Sequence, residues 1–257
     1  MNFKSFHQLT EGINDKFVFK ALFVVGVAAS GKSTISTPLK FYAKHIDVDY
    51  PIEFYSEKYN LDLGKEGDAA GKRRAREIGK RVTTEELINY VSGMLPMVIN
   101  VVGDDIDRTK ARIKMLRDLG YDVGMVYINA DIEDALKRVI ARRYGKNKDK
   151  HRHISSEHVY DSYRKLVVNA KKYQDMLFDQ ASGNQELLDF YTQIKNDGFI
   201  DEVTIKKIQK QAEAFFSSPV KNPKGKEYLD QLKAEKKKAL TDIVSKSDII
   251  ELLRKWF

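Results

Sequence analysis

The stretch Gly26-Val27-Ala28-Ala29-Ser30-Gly31-Lys32-Ser33 constrains this chain more than any other. It follows a near-continuous apolar run, residues 20–25 (KALFVV), and opens residues 32–44, which read as a helix. The spacing is GxxxxGK[ST] in full. Small residues let successive backbone N–H groups converge on phosphates, and the start of the next helix adds partial positive charge. In this pattern Gly26, Ala28, Ala29, Ser30 and Gly31 form the cradle, Lys32 reaches the β- and γ-phosphates, and Ser33 holds Mg²⁺. Thr34 stands one residue further on as another hydrogen-bond donor to phosphate. The pattern arises by chance in about one chain of this length in a hundred, and the strand before it and helix after it cut that further.

The rest of the chain repeats the alternation that such a start demands. Residues 45–48 (HIDV), 96–102 (PMVINVV), 122–129 (DVGMVYIN) and 186–192 (ELLDFYT) read as further strands. Helices are predicted over 32–44, bent at Pro38, and from the second strand to about Asn60. A third covers 73–93, broken near Val82–Thr83 with Thr84 as a cap. Others cover 105–119, stopped by Gly120, then 132–144, capped by Asp131, 155–178 and 201–216. Apolar strands separated by helices predict an α/β three-layer sandwich on a parallel sheet, with the ligand at the carboxyl ends of the strands. Residues 1–19 form an N-terminal segment and 20–217 one domain. The breaker SSPVKNPKG then leads into a C-terminal helical extension, 218–257, with leucines and isoleucines at helical spacing.

Composition narrows the setting. The 257 residues include no cysteine, which excludes disulfides, thiolate zinc sites and a cysteine nucleophile and fits a reducing cytoplasm. No apolar run approaches the ~18–20 residues of a membrane span, and the N-terminus lacks the apolar block of an export signal. The formal charge of +8 is clustered: residues 137–152 hold eight basic residues against one acidic, 65–81 seven against three, and 221–257 ten against six. Clustered Lys and Arg suit phosphate groups, whether of a nucleotide, another small substrate or nucleic acid.

A hydrolase or motor would want a carboxylate ending a second hydrophobic strand, but MVINVV offers Asn100, with Asp104 and Asp105 beyond it. A small-molecule kinase needs instead a carboxylate near the γ-phosphate and a basic lid. Asp49, or Asp47 two residues before it, stands where the second strand ends and can accept a hydroxyl proton. Asp49 also suits a helix N-cap. Arg138 and Arg142, four apart on one helix face, are candidates to meet phosphoryl oxygens beside a lid at about 144–155, which holds the hinge-like Gly145 and Arg152. Arg143 reads as a solvated helix end, and His151, His153 and His158 as surface residues.

The run VVGVAASGKST, Asp49, GDDIDRTKARIKMLRDLGYDVGMVYINADIEDALKRV and EHVYDSYRKLVVNAKKYQDMLF resembles zeta-toxin-like P-loop kinases, closest to versions carried by T4-like tailed bacteriophages. The resemblance covers about residues 20–178, and PVKNPKGKEYL in the tail resembles the same phage group. It implies five parallel strands in the order 2-3-1-4-5 and transfer of phosphate from ATP or GTP, with Mg²⁺, to a hydroxyl. It implies nucleotide binding at Gly31, Lys32, Ser33 and Thr34, an acceptor-side base at Asp49, and lid arginines at Arg138 and Arg142. The chain departs from it at Asn100, where I-N-V-V-G stands in place of I-D-G-T-G; the resemblance then implies an altered Mg²⁺ shell. Phe3, Phe6 and Leu9, ending in Leu9-Thr10-Glu11, resemble the capsid-targeting peptides of those phages, which are cut after Leu/Ile-x-Glu.

Three functions are thus expected to compete. The first is a kinase acting on a nucleoside, nucleotide or nucleotide sugar in the cytoplasm of an infected host. The second is a polynucleotide 5′-kinase, although the basic segments contain few aromatics for stacking. The third is a nucleotide-binding internal capsid protein with weakened chemistry, associated with the prohead and packaged in the virion.

Overall fold

The computed structural model describes residues 17–61, 69–144, 154–178 and 188–245. The targeting-like peptide 1–11, the lid residues 145–153 and the tail beyond 245 lie outside the described residues. Five strands form one parallel sheet in the order β2-β3-β1-β4-β5: β1 (Lys20–Val25), β2 (Lys44–Ile46), β3 (Met97–Val101), β4 (Asp122–Ala130) and β5 (Phe190–Asn196). Strand β1 is buried from end to end because neighbours flank it on both sides and helices cover both faces.

The period-two alternation of side chains sorts the core into two layers. Ala21, Phe23 and Val25, with Met97, Ile99, Val123, Met125 and Tyr127, face α4 (Ile106–Asp118) and α6 (Ser156–Phe178). Leu22, Val24, Val98, Val126 and Ile128 face α1 (Lys32–Ser36), the 3₁₀ turn Thr37–Phe41, and α7 (Glu202–Ser217). The remaining helices are α2 (Asp49–Lys58), α3 (Ala69–Ser92), α5 (Ile132–Tyr144) and α8 (Pro223–Ser245). Among the described residues no helix is long and apolar enough to cross a membrane.

Several boundaries differ from the sequence-based expectation. The helix expected over 32–44 lasts five residues and tightens into the 3₁₀ turn at Pro38, whose ring removes a backbone donor. The break expected in α3 does not occur. The Thr83 and Thr84 hydroxyls donate to the carbonyls of Gly79 and Lys80, so both residues bond back within the helix instead of capping a new one. Strand β5 lies at 190–196, four residues later than expected, with only Ile194 and Asn196 fully buried. An edge strand carries a weak apolar signal, which explains the slip.

The segment after α7 is stitched to the amino end of the sheet. Lys20 and Asp122, both wholly buried, pair at 2.7 Å across β1 and β4. Lys20 also donates to Ser218 Oγ at 2.9 Å and to the Pro219 carbonyl at 3.2 Å, while Asp122 accepts from the N–H groups of Lys221 and Asn222. The first turn of α8 then crosses Gly120, which ends α4 at φ 96°; a Cβ on Gly225 would stand 2.2 Å from the Gly120 carbonyl oxygen. All of this lies at the end of the sheet opposite the carboxyl edge, where β1, β2 and β3 deliver the candidate residues.

Candidate active site

The loop after β1 is held from both sides. Gly26 N–H donates to the Val101 carbonyl at 3.2 Å, and Ser30 N–H closes a turn on the Val27 carbonyl at 3.1 Å. Ala29 (φ 59°) and Gly31 (φ 99°) take left-handed conformations, a backbone pattern that turns successive N–H groups into an anion-binding concavity. At Gly31 the left-handed dihedral favours glycine, which has no Cβ to strain it. Lys32 Nζ donates to the carbonyls of Gly26 and Val27 at 2.7 and 2.9 Å, folding back over the loop it belongs to. Ser33 and Thr34 are exposed at the start of α1.

Two side chains from distant segments grip the outside of this loop. Asn196, at the end of β5, donates Nδ2 to the Ser30 carbonyl at 2.6 Å. Arg138, on α5, donates Nε to the Ala29 carbonyl at 2.7 Å and Nη1 to the Gly198 carbonyl at 2.8 Å. Arg138, expected to project from a lid onto phosphoryl oxygens, is instead placed against the loop backbone, and burial draws its pKa below the ordinary arginine value. Arg142 is exposed one turn further along α5, outside the cleft lining. Asn196 was missed because the sequence pattern ended the fifth strand before reaching it.

Facing the loop, the second carboxyl edge is built by a short relay. Strand β2 stops at Ile46, so neither Asp47 nor Asp49 lies in a strand, and strand alternation does not relate them. Helix α2 begins at Asp49 itself. The N–H of Asp49 donates to Asp47 Oδ1 at 3.0 Å, and the N-cap position is Val48 rather than Asp49. Asp47 Oδ2 accepts from Asn100 Nδ2 at 2.8 Å, and the same Nδ2 lies 3.3 Å from Ser36 Oγ at the end of α1.

Lys32, Asp47, Asp49 and Asn100 all line one cleft of about 480 Å³. Its far wall comes from the start of α4 and from α6. Gly103 (φ 79°) makes the turn out of β3, and its carbonyl accepts from Tyr173 Oη at 2.9 Å. Burial pushes the Tyr173 phenol up to about 12, so it stays a donor. Ser162 Oγ donates to Asp104 Oδ2 at 3.1 Å. Arg108 and Arg112, four apart on α4, also line the cleft, and burial followed by the neighbouring Arg108 charge lowers the Arg112 pKa. This pair escaped the sequence reading, although its i, i+4 spacing just after Asp104 was a usable signal. His158, read as a surface residue, is exposed but forms part of the same lining.

Among the described residues no group of three or more His, Cys, Asp or Glu side chains is arranged to hold a metal ion. The left-handed loop and the Lys32 ammonium beside it fit a polyphosphate.

No family model matches the chain, and no curated protein matches it in sequence. Solved structures do. A candidate kinase from Chloroflexus aurantiacus superposes with a TM-score of 0.52 at 13% identity, over 76% of this chain and 98% of that one. A structure from the PezAT chromosomal toxin–antitoxin system of Streptococcus pneumoniae gives 0.51 at 14% identity, over 84% and 96%. The AvrRxo1-ORF1:-ORF2 complex with ATP gives 0.53 at 15% identity, over 79% and 66%. At these identities the likeness establishes the fold.

Proposed function

We propose that this chain is a nucleotide-dependent kinase that transfers the γ-phosphoryl group of ATP or GTP to a hydroxyl of a small acceptor: a nucleoside, a nucleotide or a nucleotide sugar. The observation that carries this reading is the shared cleft, in which a phosphate loop with its lysine and a carboxylate at the start of α2 line one cavity of about 480 Å³. Neighbours of the same fold include a candidate kinase and a complex holding ATP, which supports the choice of reaction.

The nucleotide lies with its phosphates on residues 26–34. Lys32 exchanges its bonds to the Gly26 and Val27 carbonyls for phosphoryl oxygens. Asp49 accepts the proton of the acceptor hydroxyl as its oxygen forms a bond to the γ-phosphorus. The bond from that phosphorus to the β–γ bridging oxygen breaks, and the nucleoside diphosphate leaves with the electron pair. Ser33, together with phosphate oxygens, would hold a Mg²⁺ ion, which would neutralise phosphate charge. Arg138 shapes the loop through the Ala29 carbonyl.

A second acceptor class, the 5′-hydroxyl of a polynucleotide, gains support from Tyr50 and Phe54. These are 69% and 51% exposed and lie four apart on α2, with Tyr50 next to Asp49, as a base-stacking surface would. Radiolabel transfer from ATP and GTP to nucleosides, nucleotide sugars and 5′-hydroxyl oligonucleotides separates these classes. Lys32→Ala abolishes transfer, and Asp49→Asn lowers it about 10²–10⁴-fold with nucleotide binding intact. Nucleotide binding by wild type without transfer to any acceptor refutes the kinase reading and leaves the internal capsid protein with weakened chemistry.

A further inference from the structure

The residue that departs from expectation, Asn100, sits at a junction. It is the fourth residue of β3, on the sheet face that carries Val98, and its carboxamide reaches between two helices. The register Ile46↔Ile99 brings the end of β2 alongside it, so Asp47, one residue past the strand, stands opposite Asn100. Its Nδ2 donates to Asp47 Oδ2 at 2.8 Å and lies 3.3 Å from Ser36 Oγ, the buried residue that closes α1. The other Asp47 oxygen accepts from Asp49 N–H at 3.0 Å. The chain of contacts therefore runs from the helix that opens at the phosphate loop, through Asn100 and Asp47, to the first residue of the helix that carries the acceptor-side carboxylate.

The chemistry of this junction admits one orientation. A carboxylate only accepts hydrogen bonds, so the amide of Asn100 must present its nitrogen to Asp47. An aspartate at position 100 would place a second carboxylate against Asp47 at hydrogen-bond distance, where two like charges cannot both persist without a shared proton. Either the pair would take up a proton or Asp47 would turn away and release Asp49 N–H. Asn at position 100 and Asp at position 47 are thus complementary, donor to acceptor.

We propose that Asn100 is a positioning residue: by holding Asp47 it fixes the start of α2 and sets Asp49 against the donor phosphates, and it is the partner that Asp47 requires rather than a lost carboxylate. This rests on the kinase reading only for its consequence in rate; the hydrogen-bonded relay is a property of the fold. Restoring the expected aspartate therefore impairs the protein instead of improving it, and exchanging the two side chains preserves the relay with its polarity reversed.

The test compares wild type, Asn100→Asp, and the exchange Asp47→Asn with Asn100→Asp, at pH 8. Two readouts are taken: transfer kinetics, and hydrogen-exchange protection of the Asp49 amide by NMR. Displacing a catalytic group by about 1 Å can cost about 10²-fold, so Asn100→Asp lowers kcat about 10–100-fold while the nucleotide KM stays within about threefold. It also loses protection at Asp49. The exchange variant recovers both, because a carboxamide at position 47 can accept from Asp49 N–H through its oxygen and donate through its nitrogen to a carboxylate at position 100. Transfer by Asn100→Asp equal to or above wild type, or an exchange variant no better than the single one, overturns the proposal. If no variant and not even wild type transfers phosphate, the amide readout alone decides the relay, and the kinase reading fails separately.

Discussion

Arg138 offers the sharpest division between two mechanisms, because the lid expected from sequence and the tether seen in the fold require different kinetics. Arg138→Ala removes the Nε bond to the Ala29 carbonyl and the Nη1 bond to the Gly198 carbonyl. Hydrogen bonds from a charged donor contribute about 1.5–3 kcal/mol each. The Gly198 bond is exposed, and water replaces most of it; the Ala29 bond is partly buried, so its carbonyl is left poorly served. A net loss of about 2 kcal/mol is expected, concentrated on a loop whose Ala29 already holds a left-handed dihedral that is unfavourable for a residue with a Cβ. If that free energy now opposes the binding-competent loop, the nucleotide Kd rises about 30-fold, at 1.4 kcal/mol per factor of ten. Titration calorimetry measures this directly, with kcat at saturating nucleotide falling by less than about threefold. An arginine that meets the transferred phosphoryl group behaves in the opposite way, since its removal costs about 10³-fold or more in kcat. A large kcat loss with an unchanged Kd would refute the tether.

Two further outcomes concern the scaffold. Lys20→Met leaves Asp122 wholly buried without its ammonium partner, and unfolding in urea should show a loss of about 3–5 kcal/mol, nearer the lower figure because the Lys221 and Asn222 amides still serve the carboxylate; a loss below about 1 kcal/mol would mean the stitch contributes little. His45 has its pKa lowered from the ordinary 6.5, first by burial and then by the Lys40 charge. The folded state therefore disfavours protonation, the unfolded chain binds more protons as the pH falls through 6.5, and stability is lost in that direction. Urea midpoints between about pH 7.5 and about pH 5.5 should fall more steeply for wild type than for His45→Gln, and parallel slopes would remove His45 from the account.

The turn between β1 and α1 was legible because its backbone chemistry is local. Residues 26–34 carry their own turn chemistry, and the apolar run before them and the helix after them are read from neighbours in sequence. The five parallel strands and the helix caps at Asp131 and Gly120 were legible for the same reason, since each rests on short-range spacing or a backbone preference. The fifth strand slipped because an edge strand packs on fewer neighbours and shows a weaker apolar pattern.

What sequence alone determined, then, was a glycine-punctuated turn after the first strand of a parallel sheet and an acidic residue beyond the second strand. Only the tertiary structure decided what the side chains around that turn do. Arg138 meets Ala29 across 109 positions, Asn196 meets Ser30 across 166, and Asn100 meets Asp47 across 53. A hydrogen bond depends on distance and direction in space, and strand order 2-3-1-4-5 brings together at one edge residues whose separation along the chain carries no trace of their contact.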